Sequence, residues 1–435
     1  MSQLNLRNCW HGGLWGKRTL AVQGLGFDVT WHGWAVPGLV NAHAHAFQRA
    51  MAGLAEHRIG GGDSFWSWRE TMYAFAERFD PDLLQAVAAQ SYVEMLEAGY
   101  TRVCEFHYLH HAPDGRPYAP ASAMADALIA AASEVGIGLT LLPALYMQGG
   151  FDGRPLAPRQ YRFAHTVDSY LALIERLRAQ QSQGLIVGVA LHSLRAVPAS
   201  ALRAVLESGL VSRGPVHIHI AEQTGEVDDC LAFNRQRPIS WLLDHAAVDH
   251  RWCLVHATHM DDAEIHRLAR SGAVVALCPT TEANLGDGLF PLQAYLNAGG
   301  RIAIGSDSNI SISPIEELRW LDYGQRLRRQ LRNPVATEAE PHSGERLFAL
   351  AFDGGRQAAG LQRDAEESFF ELDGAHPLLS GSGPEEVLDR WIYAGNAALL
   401  RGTCSALALC VQDGRHVMRE VIAERYRKAL ARLRD

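Results

Sequence analysis

Between residues 36 and 310 the chain alternates short, almost unbroken apolar runs with stretches of helical character. Eight runs stand out, at 36–42, 102–108, 138–146, 185–192, 216–221, 252–256, 273–278 and 301–305. Runs that are apolar at nearly every position suit parallel strands covered on both faces. The segments between them carry helix punctuation. Asp80-Pro81 opens one that stops before Gly99, Gly136 follows 121–134, and Gly272 follows 261–270. Eight such units in succession predict an α/β fold, a (β/α)8 TIM-like barrel. A doubly wound open sheet is the alternative. Outside this stretch lie strand-like pieces at 18–22, 27–31, 369–372 and 406–411, a turn signal at Asp413-Gly414, and a closing helix at 420–433. The simplest pairing is a small β-sandwich built from both chain termini. The chain then divides into 1–35, a barrel at 36–365, and 366–435. The long segment 46–79, with Gly60-Gly61-Gly62, Trp66, Trp68 and Arg69, reads as a functional lid over one barrel end.

Composition narrows the chemistry. A net charge of −8 disfavours a nucleic-acid partner. No apolar run reaches ~18 residues, so no membrane span is expected, and residues 1–10 lack the basic-then-apolar pattern of a secretory leader. Of the 40 basic residues only Lys17 and Lys428 are lysines. A P-loop and a Schiff-base enzyme both need a lysine in the site, so both are close to excluded. Cys9, Cys104, Cys230, Cys253, Cys278, Cys404 and Cys410 are scattered without a C-x-x-C, as expected of reduced thiols in a cytoplasmic protein. The 20 histidines are the anomaly. Several fall inside apolar runs, where an imidazole is costly to bury without a partner.

His43 and His45 follow the first run and share one face of a strand. Two imidazoles so placed are metal-ligand geometry. Val216-His217-Ile218-His219 offers another pair, of which His219 lies nearer the strand's end and nearer Glu222; His217 reads as a satisfied core histidine. His256 ends the run at 252–256, and Asp307 lies just past the run at 301–305. Singly, each has a bland reading as core histidine or helix cap. Together all four pieces fall at strand C-terminal ends, the barrel face that carries active sites. Three nitrogens and one carboxylate leave an open coordination position, the mark of a catalytic metal site.

With Pro37-Gly38-Leu39-Val40-Asn41-Ala42-His43-Ala44-His45, the later histidines and the terminal Asp307, the chain resembles the amidohydrolase superfamily over nearly its whole length. The lysine-bridged binuclear type is ruled out by the lysine count, and His219-x-x-Glu222 is similar to the mononuclear deaminase branch. That resemblance implies one divalent metal ion per chain, Zn2+ by expectation with iron or manganese as alternatives. It implies His43, His45, His219 and Asp307 as ligands, with Asp307 also taking a proton. Glu222 and His256 would face the reacting atoms. Narrower matches, at Gln48, at Phe65-Trp66-Ser67-Trp68-Arg69, at Tyr108 and at His192-Ser193-Leu194-Arg195, imply a member acting on a linear amidine that carries two carboxylates. Arg69 and Arg195 would clamp the carboxylates, with Gln48, Tyr108 and His192 as further substrate-binding donors. A nucleobase or adenosyl-type deaminase or a chlorohydrolase of the same branch is the alternative, and a non-catalytic metal-binding barrel a third. A homodimer is expected as the commonest closed assembly.

Overall fold

The computed structural model describes residues 2–23, 27–57, 65–362, 368–396, 398–406 and 408–434, leaving aside the side chains of 65–67. The Gly60-Gly61-Gly62 stretch and the Trp66 side chain therefore lie outside the described residues, as does the expected boundary at 365/366. The chain opens with strands β1 (Ser2–His11), β2 (Leu14–Val22) and β3 (Val29–Pro37). The barrel run follows: β4 (Leu39–Ala44), β5 (Tyr100–His107), β6 (Gly138–Leu145), β7 (Leu185–Val187), β8 (Val189–Ser193), β9 (Val216–Ile220), β10 (Trp252–His256), β11 (Val274–Leu277) and β12 (Arg301–Ile304). Last come β13 (Phe369–Leu372), β14 (Leu400–Ser405), β15 (Ala408–Gln412) and β16 (Arg415–His416).

The parallel order β4-β5-β6-β8-β9-β10-β11-β12 is a nearly closed eight-strand barrel, with β7 a short companion of β6. The run expected at 185–192 is thus divided at Gly188, where a side chain would come within 2.7 Å of the Pro215 carbonyl. The run expected at 36–42 is also divided, and it straddles two sheets. Pro37 ends β3 in the terminal sheet and Leu39 starts β4 in the barrel. A Cβ on Gly38 would meet the Thr101 hydroxyl at 2.2 Å, so only glycine passes there.

The barrel closes at the end that carries the histidines. His45 N–H donates to Asp307 O at 2.9 Å and Asp307 N–H to His43 O at 2.9 Å. Gly305 permits this approach, since a Cβ there would lie 2.7 Å from the His43 carbonyl. Both termini combine in one mixed seven-stranded sheet, β16-β15-β14-β13-β3-β1-β2. The Asp413-Gly414 turn joins β15 to β16, with φ of 46° and 75°. Strand β1 was not legible in advance, because its Asn, Arg and His content hides the alternation.

Helices cover the barrel, and the three expected stops, Gly99, Gly136 and Gly272, each follow a helix and lie in the left-handed region. Pro81–Ala98 is capped by Asp80, whose carboxylate accepts from Leu83 N–H at 2.8 Å, and stops at Gly99 in the left-handed region. All seven cysteines are buried, and none forms a disulfide among the described residues. Among the described residues no helix is long and apolar enough to cross a membrane.

Candidate active site

β4 delivers His43 and, one residue past its end, His45; β9 delivers His219 and the β12 end delivers Asp307. Their atoms converge. His43 Nε2 lies 3.2 Å from His45 Nε2 and 3.0 Å from His219 Nε2. Asp307 Oδ1 lies 3.4 and 3.3 Å from the first two. Donors ~2.0–2.1 Å from a common ion stand about this far from one another. The opposite ring nitrogens fix the tautomers: His45 Nδ1 meets Phe106 O at 2.8 Å and His219 Nδ1 meets His192 O at 2.9 Å. Each Nδ1–H donates outward, so each Nε2 turns a lone pair inward. Burial pushes His43 down to about 3, which keeps it neutral. The donor set therefore fits one divalent ion. His217 points away, its Nε2 bound to Ala358 O at 2.8 Å, in keeping with a core role.

The Asp307 turn is held from below. Asn309 Nδ2 donates to His45 O at 2.9 Å, Ser306 Oγ to Asn309 Oδ1 at 2.6 Å, and Asn41 Nδ2 to Ser306 Oγ at 2.6 Å. Non-glycine residues with left-handed φ gather at these strand ends: Ala221 (50°), His256 (69°), Ala257 (49°), Asp307 (45°) and Asn309 (55°). Such backbone costs of order 1–3 kcal/mol per residue and persists where surrounding contacts enforce it.

Beside the histidines stand Glu222 and His256, the residues expected to face the reacting atoms. His256 Nε2 is 3.7 Å from Glu222 Oε1 and 3.8 Å from Asp307 Oδ2. Burial raises Glu222, with Asp307 and Glu226 adding and His256 opposing. His256 is raised despite its burial by Glu222, Glu282 and Asp307. The adjoining cavity is lined by every expected site residue except His43, which lies beneath it: His45, Gln48, Arg69, Tyr108, His192, Arg195, His219, Glu222, His256 and Asp307. Gln48 Nε2 donates to the Tyr108 hydroxyl at 2.9 Å. Arg69 lies over the Tyr73 ring at 5.5 Å, and burial holds its guanidinium below the usual range, with Arg195 adding to the effect.

Three carboxylates here were missed in sequence. Glu282 Oε1 accepts from Cys278 N–H at 3.0 Å and faces His256 Nδ1 at 3.2 Å, so it orients that ring. Glu226 Oε2 accepts from Glu222 N–H at 3.1 Å. Asp287 comes within 4.8 Å of Glu222 and His256, and burial, then Glu222, pushes it up to about 9. Each comes from the turn or helix after a strand, where an acid reads as a plain cap; only its distance to a reacting group distinguishes it.

The amidohydrolase family profile matches residues 34–339. The chain is 48% identical to formimidoylglutamate deiminase of Pseudomonas aeruginosa, over 93% of this chain and 90% of that one. It superposes on the crystal structure of an amidohydrolase from Brucella melitensis with a TM-score of 0.91 and 43% identity, covering 100% of both chains. It shares its fold with an adenosine deaminase from Xanthomonas campestris with bound zinc, with a TM-score of 0.79 and 20% identity over 100% of this chain and 98% of that one.

Proposed function

Because the chain belongs to the amidohydrolase family, we propose that it is a formimidoylglutamate deiminase, converting N-formimino-L-glutamate and water to N-formyl-L-glutamate and ammonia. The observation that carries this reading is the pair of arginines, Arg69 and Arg195, lining the same cavity as the three-histidine, one-carboxylate cluster. A dicarboxylate needs two cationic forks, and a neutral nucleobase needs none. The 48% identical relative bears the same name.

His43, His45, His219 and Asp307 would hold one divalent ion, Zn2+ in this reading. When bound, it supplies a water acidified towards neutral pH. The chain's own groups do the rest. Asp307 accepts a proton as the attacking oxygen adds to the formimino carbon. Glu222 protonates the imine nitrogen and passes on the second proton that lets ammonia leave. Burial suits it to this, since a carboxyl raised towards neutrality can both give and take. His256, oriented by Glu282, donates to the oxygen that becomes the formyl carbonyl. Arg69 and Arg195 fork the two carboxylates, with Gln48, Tyr108 and His192 as flanking donors. The active assembly in this reading is a homodimer.

The test is ammonia release from N-formimino-L-glutamate, guanine, cytosine and S-adenosylhomocysteine by the metal-replete enzyme. The reading requires the formimino acid to be turned over with the highest kcat/KM. Preference for a ring substrate would overturn it in favour of a nucleobase-type deaminase.

A further inference from the structure

The helix Pro314–Arg329 leaves the Asp307 turn and packs on the barrel through Leu318, Leu321 and Gln325. An ordinary surface helix is polar on the other side. This one is not. Trp320 is 45% exposed, Tyr323 37%, Leu327 75% and, just past the helix end, Leu331 52%. Their spacing puts them on one outward stripe. Gly324 lies on the same stripe, and the 45% exposed Leu289 folds over it: a Cβ on Gly324 would meet Leu289 Cδ2 at 2.8 Å. Arg328 fastens that segment by donating to Leu289 O at 3.2 Å. Tyr323 is fixed as well, stacked on Tyr393 at 5.9 Å with Arg326 over both rings. The patch is therefore contiguous, apolar and held in place, the kind of surface that marks an interaction site.

We propose that this stripe is the two-fold interface between two copies of the chain, with the helices crossing antiparallel about Tyr323–Gly324. The pattern is complementary to itself. Reversal about that point sets Trp320 against Leu327 of the partner copy, and Leu327 against Trp320. An isologous contact requires this reciprocity. The charges match in the same register. The first helical turn carries Glu316, while Arg328, Arg329 and Arg332 crowd the other end. Arg329 and Arg332 make no ion pair among the described residues. Antiparallel crossing brings that basic end to the acidic first turn of the partner copy and opposes the two helix dipoles. Trp, Tyr and Arg are the residue types that dominate interface energies, with the leucines as the dry centre and the arginines as the rim.

The proposal rests only on the homodimer part of the functional reading. Light scattering should give the wild type a mass twice the 47.8 kDa of one chain. Leu327→Asp should raise the dimer dissociation constant about thirtyfold or more and yield monomer at working concentrations. Leu327 is too exposed for its loss to unfold the chain, which circular dichroism would verify. Tyr323→Cys, at the axis, should form a disulfide-linked dimer on mild oxidation, while the buried native cysteines stay silent and Leu14→Cys, on β2, gives none. A monomeric wild type would overturn the interface. So would a dimer that survives Leu327→Asp without cross-linking at 323. A monomer that still hydrolyses formiminoglutamate would sink the interface and leave the chemistry standing.

Discussion

Two groups of histidines crowd this barrel, and they are built for different ends. His43, His45 and His219 have ring centres 4.7–5.4 Å apart. His107, His110, His111 and His165 crowd as tightly, with neighbouring centres at 4.9, 4.4 and 4.9 Å for the pairs 107–110, 110–165 and 111–165. In the first group the outward nitrogens of His45 and His219 are tied to carbonyls, the Nε2 atoms converge, and Asp307 joins them. In the second the tied nitrogens reach Ala144 O, Ala164 O and Ser169 Oγ, and no converging donor set forms among the described residues. Ring proximity is therefore not what makes a metal site. Lone pairs aimed at one point, with a carboxylate to balance the charge, are.

The largest effect should come from breaking the first group. His219→Ala should take the metal content from one ion per chain to near none and abolish turnover. His110→Gln, in the second group, should leave the content at one. Elemental analysis of both variants decides, and metal lost equally from the two would erase the distinction drawn here. Next in size is Glu222→Gln, which removes a proton carrier while keeping shape and metal. General acid–base groups contribute ~10²–10⁴-fold, so kcat should fall by that range. A variant within threefold of wild type would remove Glu222 from the mechanism.

Of these two groups only the first was legible in the sequence. His43, His45, His219 and Asp307 could be read because parallel strands declare themselves as apolar runs, and the run's end marks the catalytic face. His110 and His111 lie past the apolar run at 102–108, and nothing in their spacing says where their nitrogens point. Glu282 and Asp287 were invisible for the same reason. Their chemistry arises from the way the helix and turn after β11 pack against His256 and Glu222. The division at Pro37-Gly38 was missed because two strands of different sheets run on with no polar break between them.

The carboxylate clamp gives a smaller effect of a different kind. Arg69→Met and Arg195→Met should keep the metal and Glu222 chemistry intact. Removing one partner of a desolvated charge pair costs roughly 2–5 kcal/mol, so kcat/KM for formiminoglutamate should drop about thirtyfold or more. Arg195 follows β8 on the barrel rim and should act mainly through KM. Arg69 stands on the helix Phe65–Ala76 over the site, and its loss should lower kcat as well. Unchanged kinetics in both variants would place the clamp elsewhere.

The smallest effect concerns the second group alone and touches stability, not activity. Burial lowers His107 to about 3, with the neighbouring His165 and Arg162 adding to it, and its Nε2 has no hydrogen-bond partner among the described residues. Unfolding returns it to an ordinary 6.5. Below that value the unfolded chain takes up a proton the folded chain refuses, so stability is fully present above pH 6.5 and falls as the solution is acidified towards the folded value. At 1.36 kcal/mol per pKa unit, this one residue costs about 2 kcal/mol near pH 5. His107→Gln removes the titration while nearly preserving size. Denaturant unfolding of the wild type and the variant at pH 8 and pH 5 should show the variant losing about 2 kcal/mol less between the two conditions. Equal losses would mean that His107 is hydrated or shares a proton in the folded state, and that the second group is not the dry, neutral packing unit described here. The first group offers no such clean measurement, because acid there also competes with metal for the same nitrogens.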